Sequence, residues 1–226
     1  MSYARLQTMI AKASCRPQIW RLIGGLLTVF AIATGWTAAT FLIAERVLGP
    51  AAFGIVDGNT PVGTLLFLST IAGGFGFGTW LAARLWQGRT LGDLVGRGAR
   101  TLRDFARAAL MTFFLAAVAW LIVQPFADPL QPNLPFGEWL RLLPLALVLI
   151  LLQTGAEELL FRWYLQSQLA ARFQADWVWL LVPSLLFGLL HYLPGETAGP
   201  GLLYIASTTL FGVIAADLTA RTGSIG

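Results

Sequence analysis

Apolar residues fill most of the chain in long runs that short polar connections separate. A helix needs about 20 apolar residues to cross the hydrocarbon core of a bilayer, and these runs have about that length. The pattern therefore predicts an all-α fold, a polytopic transmembrane helical bundle with about six membrane helices. The predicted spans cover approximately 19–44, 62–86, 105–123, 139 onward, 177–193 and 202–219.

The composition agrees with a membrane protein and argues against a soluble one. The chain is 57% hydrophobic and 12% charged, whereas soluble domains have about 25% charged residues. The net charge is +4, but the arginines cluster beside the predicted spans, where positive charge sets orientation. We therefore expect membrane lipids as partners, no nucleic acid, and a cytoplasmic N-terminus. The single cysteine excludes an intrachain disulfide framework and a cysteine-based zinc cluster.

Two segments of the first half have patterns of their own. Residues 90–107 place apolar and arginine side chains on different helical faces, which predicts a basic amphipathic helix in the membrane interface. We favour an ordinary topology-setting connection there; contact with anionic lipid or an acidic substrate is the alternative. Gly74 and Gly78 form a small-xxx-small pair, which predicts close packing of two helices.

The candidate chemistry lies in two clusters within the last third of the chain. The first is Glu157 and Glu158 with Arg162, and the second ends in His191, the single histidine. Ionisable residues within membrane helices are costly and mark functional sites by default. A buried Glu–Arg pair with a structural role, and a histidine that only donates a hydrogen bond between helices, are the alternatives.

The spacing assigns different roles to the two glutamates. Glu158 and Arg162 are four residues apart, the favoured arrangement for a salt bridge on a helix. Glu157 points about 100° away and has no basic residue at helical spacing, so it is the candidate general base. It lies about as far before the polar turn at 174–176 as His191 lies after it. An antiparallel pair of helices would bring Glu157 and His191 to one depth, where they could share a water or a metal.

These residues, together with Phe187 four positions before His191, resemble the first two motifs of the CPBP intramembrane proteases. This family includes CAAX prenyl endopeptidases and bacterial homologues linked to bacteriocin immunity. The resemblance covers about 139–226 and divides the chain into an N-terminal membrane region, 1–138, with the basic interfacial helix, and a CPBP-type catalytic core, 139–226. It implies an integral protein of the bacterial inner (plasma) membrane.

The resemblance also implies the roles of the site residues. Glu157 and His191 would hold the nucleophilic water, with zinc if a metal takes part. Glu158 and Arg162 would orient Glu157, Arg162 would help to hold the substrate, and Phe187 would shape the pocket. The implied activity is a membrane metalloendopeptidase that cuts a peptide bond near the cytoplasmic leaflet. The substrates would be proteins or peptides, prenylated ones among them.

One departure from the family keeps other functions open. The family has a third motif, a histidine followed four residues later by a polar residue, after a turn that Thr222-Gly223-Ser224 resembles. No second histidine is present. We expect the natural reading frame to continue into a further helix that carries it, within about 15 residues of Gly226. Otherwise the protein is a catalytically inactive scaffold or bacteriocin-immunity factor. A transporter that uses Glu157 as a proton site is a third option, and no internal repeat favours it.

Overall fold

The architecture is helical throughout the part of the chain that the structure describes. A computed structural model describes residues 3, 5–49, 60–90, 92, 98–126, 134–192 and 198–223, and these include no strand. This confirms the predicted all-α class. The main helices are α1 (Leu6–Ala13), α2 (Ile19–Leu48), α3 (Pro61–Ala82), α4 (Gly98–Val123), α5 (Phe136–Glu158), α6 (Asp176–Leu190) and α7 (Ala198–Thr222).

The number of membrane spans differs from the six that we expected. Among the described residues, five helices are long and apolar enough to cross a membrane, namely Ile19–Val47, Pro61–Gln87, Leu102–Phe126, Phe136–Arg172 and Gly199–Thr222. The predicted span at 177–193 is the apolar helix α6, which has 15 residues. At 1.5 Å per residue it extends about 22 Å, less than the roughly 30 Å of the hydrocarbon core. The chain is an integral membrane protein with one apolar helix too short to span by itself.

Two helices end in wider, π-helical turns that the sequence pattern did not predict. Helix α3 passes into a π-helical turn at Ala83–Gln87. Helix α5 passes into a longer one at Leu159–Gln166 and then into a last α-helical segment, Ser167–Arg172. The fourth predicted helix is therefore continuous to about Phe173, as expected, but it changes its pitch directly after Glu158. Such π-helical turns occur often at functional sites.

The predicted interfacial helix at 90–107 is only partly open to comparison. Residues 91 and 93–97 lie outside the described residues. Residues 98–107 belong to α4, which runs without interruption into the membrane span that starts at Leu102. The basic segment 98–107 and the membrane span therefore form one continuous helix, and the interfacial position of that segment stays a prediction.

Helices α2 and α3 pack closely through the glycines that the sequence singled out. A Cβ on Gly74 would lie 2.9 Å from the Ala33 Cα, and one on Gly78 would lie 3.1 Å from the Val29 Cα. The missing side chains thus let the two backbones touch, which is how small residues join membrane helices. The predicted packing role of Gly74 and Gly78 is confirmed.

The best-packed region lies at one end of the bundle and surrounds the π-helical turn of α5. Residues 160–169 are all buried, so this stretch is covered on every face. The surrounding core takes Leu6 from α1, Leu22 from α2 and Trp179 from α6. Helix α4, by contrast, exposes apolar side chains all round, as expected of a helix surrounded by lipid. The membrane portion and the packed end meet at the last turn of α5.

The N-terminal segment fastens this packed end. Leu6 and Met9 of α1 are buried in the core. The hydroxyl of Tyr3 donates a hydrogen bond to Asp217 of α7 over 2.8 Å, and its ring meets Trp179 of α6 edge to face at 5.2 Å. The segment therefore joins the start of α6 to the end of α7. These are the two helix ends that the loop between α6 and α7 does not connect.

Replacing Tyr3 with phenylalanine tests this fastening. The pKa of Tyr3 is raised above its ordinary value, mainly because its hydroxyl donates to the Asp217 carboxylate. A raised pKa means that the stabilisation is complete below about pH 10, the unfolded value, and is lost as pH rises through the higher folded value. We expect Tyr3→Phe to cost about 1 kcal/mol at pH 8, measured as a lower unfolding midpoint in detergent.

The difference between wild type and Tyr3→Phe should start to shrink above about pH 10, where the hydroxyl of the unfolded chain ionises. It should vanish as the pH passes the higher pKa of the folded state. Tyr192→Phe is the matched control, because Tyr192 is 52% exposed and its removal should change little. Equal midpoints for Tyr3→Phe and wild type at pH 8 would contradict the fastening role.

Candidate functional site

The last regular turn of α5 holds a buried carboxylate. Glu157 is 9% exposed, and its Oε1 accepts a hydrogen bond from Nε2 of Gln153 at 2.6 Å. The sequence reading missed Gln153. A polar residue one helical turn before Glu157, in an otherwise apolar run, was the signal that could have identified it. Gln153 fixes the direction of the carboxylate without bringing a positive charge to it.

Glu158 and Arg162 form the salt bridge that their spacing predicted. The Arg162 Nε lies 3.3 Å from the Glu158 Oε2, with the two side chains 1% and 22% exposed. The arginine lies within the π-helical turn and the glutamate directly before it. The pair is therefore held at the point where the helix changes pitch. A buried guanidinium without this carboxylate would be strongly destabilising.

The ring of Phe187 packs against the guanidinium of Arg162. The guanidinium carbon of Arg162 lies 4.7 Å from the centre of the Phe187 ring, and that ring packs edge to face on Phe161 at 5.2 Å. The Arg162 Nη1 and Nη2 atoms are buried and make no hydrogen bond with described residues. Arg162 therefore packs against Phe187 with buried donor nitrogens, and its predicted roles in orienting Glu157 and in holding the substrate stay predictions.

His191 is the first residue after α6, and its orientation is set by the helix end. Its Nδ1 lies 2.7 Å from the Phe187 carbonyl oxygen. A carbonyl can only accept, so Nδ1 carries the proton and donates. In the neutral ring this leaves Nε2 without a proton, as an acceptor for a water or a ligand for a metal. The end of α6 thus selects the reactive tautomer.

The structure brings Glu157 and His191 to the same region of the bundle. The two side chains are close enough to interact electrostatically, and the Phe161–Phe187 contact joins α5 to α6 beside them. Both residues stand about 16 residues from the turn between these helices. The equal depth that the sequence suggested stays a prediction, because the rise of 1.5 Å per residue belongs to an α-helix and 8 of the intervening residues form a π-helical turn. A water between them would have a carboxylate on one side and an unprotonated imidazole nitrogen on the other.

Helix α7 supplies an aromatic wall that the sequence reading did not anticipate. The Phe211 ring lies 6.2 Å from Phe187, and the Tyr204 ring lies 6.4 Å from His191. The helix can come this near because a Cβ on Gly188 would lie 2.0 Å from the Thr209 Oγ1. The site is therefore enclosed by α5, α6 and α7, with apolar rings around a few polar atoms.

The expected zinc site lacks a full set of ligands among the residues that the structure describes. No group of three or more histidine, cysteine, aspartate or glutamate side chains is placed there to hold a metal. Catalytic zinc usually has three protein ligands and a water. Glu157 and His191 alone do not meet that requirement, so these residues do not fit the metal by themselves.

The fold is that of a polytopic membrane protein whose last described helices bring a buried glutamate, Glu157, within electrostatic range of a half-buried histidine, His191. Residues 139–226 match the sequence profile of the family described as type II CAAX prenyl endopeptidase Rce1-like. The match confirms the resemblance that the two motifs predicted, over the same part of the chain. Comparison with curated proteins and with solved structures found no match. The matched residues include α6, α7 and nearly all of α5.

Removing Glu158 tests the buried pair. We expect Glu158→Ala to lower the free energy of unfolding by roughly 3–5 kcal/mol, because Arg162 would stay buried without its carboxylate. Chemical denaturation in mixed micelles, followed by tryptophan fluorescence, measures the change. Glu45→Ala is the matched control, since Glu45 is exposed on α2 and its loss should cost well under about 1 kcal/mol.

The double variant Glu158→Leu/Arg162→Met sharpens the test. Replacing both charges with apolar groups of similar size should recover most of the stability, as in other buried pairs. Equal stability of Glu158→Ala and Glu45→Ala would contradict a stabilising role for the Glu158–Arg162 pair.

Proposed function

We propose that this protein is an intramembrane endopeptidase, similar to CAAX proteases, that hydrolyses a peptide bond near the cytoplasmic leaflet. The proposal is carried by the buried carboxylate of Glu157, which has no cationic partner at helical spacing and lies within electrostatic range of His191. The family match at residues 139–226 supports the reaction class.

The chain's own residues can carry out the proton transfers of the reaction. Glu157 accepts a proton from a water, and the oxygen of that water attacks the scissile carbonyl carbon while Nε2 of His191 accepts the water's second hydrogen bond. The carbonyl becomes an oxyanion. The proton held on Glu157 then passes to the leaving amine as the C–N bond breaks, which restores the carboxylate. Gln153 keeps the carboxylate directed at the water throughout.

The surroundings explain why the reaction would favour this position. The buried ring of Phe187 lies beside the site, and the rings of Phe211 and Tyr204 lie next to it on the lipid-facing side. Polar interactions are stronger in such surroundings than in water. An extended apolar side chain or a prenyl group on the substrate would suit the same wall. We place the protein in the bacterial inner membrane, with the N-terminus in the cytoplasm, because arginines cluster at that end of the predicted spans.

Isosteric variants test the catalytic roles. Glu157→Gln and His191→Asn should each lower kcat by about 10²–10⁴-fold, the usual contribution of a positioned acid or base. The measurement is cleavage of fluorogenic peptides, with and without a C-terminal farnesyl group, by the full chain in liposomes. Glu45→Gln should leave kcat unchanged.

The outcome of that experiment separates the alternatives. Full cleavage by Glu157→Gln would remove the peptidase mechanism. A folded wild-type chain that cleaves none of the peptides, with or without the prenyl group, would favour the inactive scaffold or immunity factor. Repeating the wild-type assay after dialysis against a chelator reports whether a metal takes part.

Labelling of cysteines tests the orientation. Cys15 is exposed near the N-terminus, and Glu45 lies at the opposite end of α2. In intact cells a membrane-impermeant maleimide should miss Cys15 and should label Glu45→Cys in a Cys15→Ser background, since the arginine bias puts the N-terminus inside. After lysis both positions should react. The reverse pattern in intact cells would place the site at the outer leaflet.

A further inference from the structure

We infer that Arg89 is a positioning residue for this site, because it fixes the π-helical turn of α5 that carries Arg162. The inference deepens the proposed function and rests on it, since positioning affects catalysis only in a site that reacts. Arg89 lies outside the segment that resembles the protease family, and nothing in the motif pattern points to it. Its contacts are what single it out.

Arg89 enters the packed end of the bundle from the end of α3. The chain turns at Gly88, which has a φ of +68°, a left-handed conformation that glycine adopts at little cost. The turn directs the next side chain inward, where Arg89 is 1% exposed. An arginine is seldom so completely buried unless its charge and its donors serve a defined contact.

The guanidinium binds the π-helical turn of α5 directly. Its Nη1 donates to the hydroxyl of Ser167 at 2.9 Å and to the backbone carbonyl of Trp163 at 3.3 Å. The Ser167 hydroxyl donates to the same carbonyl. In an α-helix the Trp163 carbonyl would accept a hydrogen bond from the Ser167 backbone N–H. Here that N–H donates to the backbone carbonyl of Tyr164 instead. Side chains thus bind the carbonyl at the point where the π-helical turn ends.

A second contact beside the first holds the same turn. The hydroxyl of Tyr164 donates to the Gln87 Oε1 at 3.0 Å, and Gln87 lies in the π-helical end of α3. The Tyr164 hydroxyl also occupies the space above Gly25 of α2, where a Cβ would lie 1.7 Å from its oxygen. Gln87, the last residue of the π-helical end of α3, and Arg89, two residues further on, therefore bind the consecutive residues Tyr164 and Trp163 of α5.

A short chain of contacts connects Arg89 to the reacting groups. Trp163, whose carbonyl Arg89 binds, directly follows Arg162. Arg162 contacts Glu158 and lies over Phe187, and the Phe187 carbonyl accepts the His191 Nδ1 proton. A change in the pitch of the π-helical turn would therefore move the charge of Arg162 and disturb the hydrogen bond that selects the His191 tautomer.

The experiment compares Arg89→Gln with Arg84→Gln. Arg84 lies in the same π-helical end of α3 but is exposed, so it is the matched control. In peptide cleavage we expect Arg89→Gln to lower kcat at least 10-fold with little change in KM, and Arg84→Gln to change neither. Arg89→Lys retains the charge and one donor, and it should recover part of the lost kcat.

The single histidine provides a readout that does not depend on activity. With ¹⁵N-histidine, the chain gives one pair of ring-nitrogen signals, those of His191, and their shifts report the tautomer and its hydrogen bonds. We expect Arg89→Gln to shift these signals and Arg84→Gln to leave them in place. Unchanged signals together with unchanged kcat in folded Arg89→Gln would overturn the inference.

Two further outcomes are distinguishable. If Arg89→Gln does not fold, Ser167→Ala removes one acceptor of Arg89 while keeping the arginine, and it should lower kcat about 3-fold and shift the His191 signals; no change in either would overturn the inference. If wild type cleaves no peptide, the proposed function fails, and the ¹⁵N signals still decide whether Arg89 controls His191.

Discussion

The burial of Arg162 is the constraint on which the rest of the site depends. A guanidinium that is 1% exposed is tolerable only where a carboxylate and polarisable rings surround it. Glu158 provides the carboxylate, and Phe187 provides a ring face at 4.7 Å, which attracts a cation. The first contact lies within α5, whereas the second needs α5 and α6 to stay in register. The buried charge therefore favours one arrangement of the two helices, and in that arrangement Glu157 lies within electrostatic range of His191.

The two ends of the bundle follow different physical rules. Where lipid surrounds the helices, apolar side chains point outward and close contacts use glycine, as between α2 and α3. At the packed end, residues 160–169 are covered on every face and hydrogen bonds replace lipid contact. The site lies where these regimes meet. Helix α5 runs through both regions and becomes π-helical between them. A shift of the packed end would therefore also move the membrane portion of α5.

The sequence predicted the features that depend on composition and simple periodicity. Long apolar runs predicted the helical class, and spacing predicted the Glu158–Arg162 bridge, because both are local properties. It missed the shortness of α6, since an apolar run does not show where a helix ends. It also missed Arg89, whose partners Trp163 and Ser167 are distant in sequence. Gln153 was missed too, although its spacing from Glu157 is local and was readable. The π-helical turns left no periodic signal, because they arise from tertiary packing around Tyr164 and Trp163.

The shortness of α6 makes the bilayer itself part of the site. A helix of 15 residues falls roughly 8 Å short of the hydrocarbon thickness. Non-helical backbone at that depth is tolerated only inside protein or beside a water-filled space, and His191 stands at this end. Lipid next to α6 must thin or tilt away to relieve the hydrophobic mismatch. If His191 holds the reacting water, as proposed, the thickness of the host membrane would set how readily that water is replaced, and a thicker bilayer would slow the reaction without altering a residue.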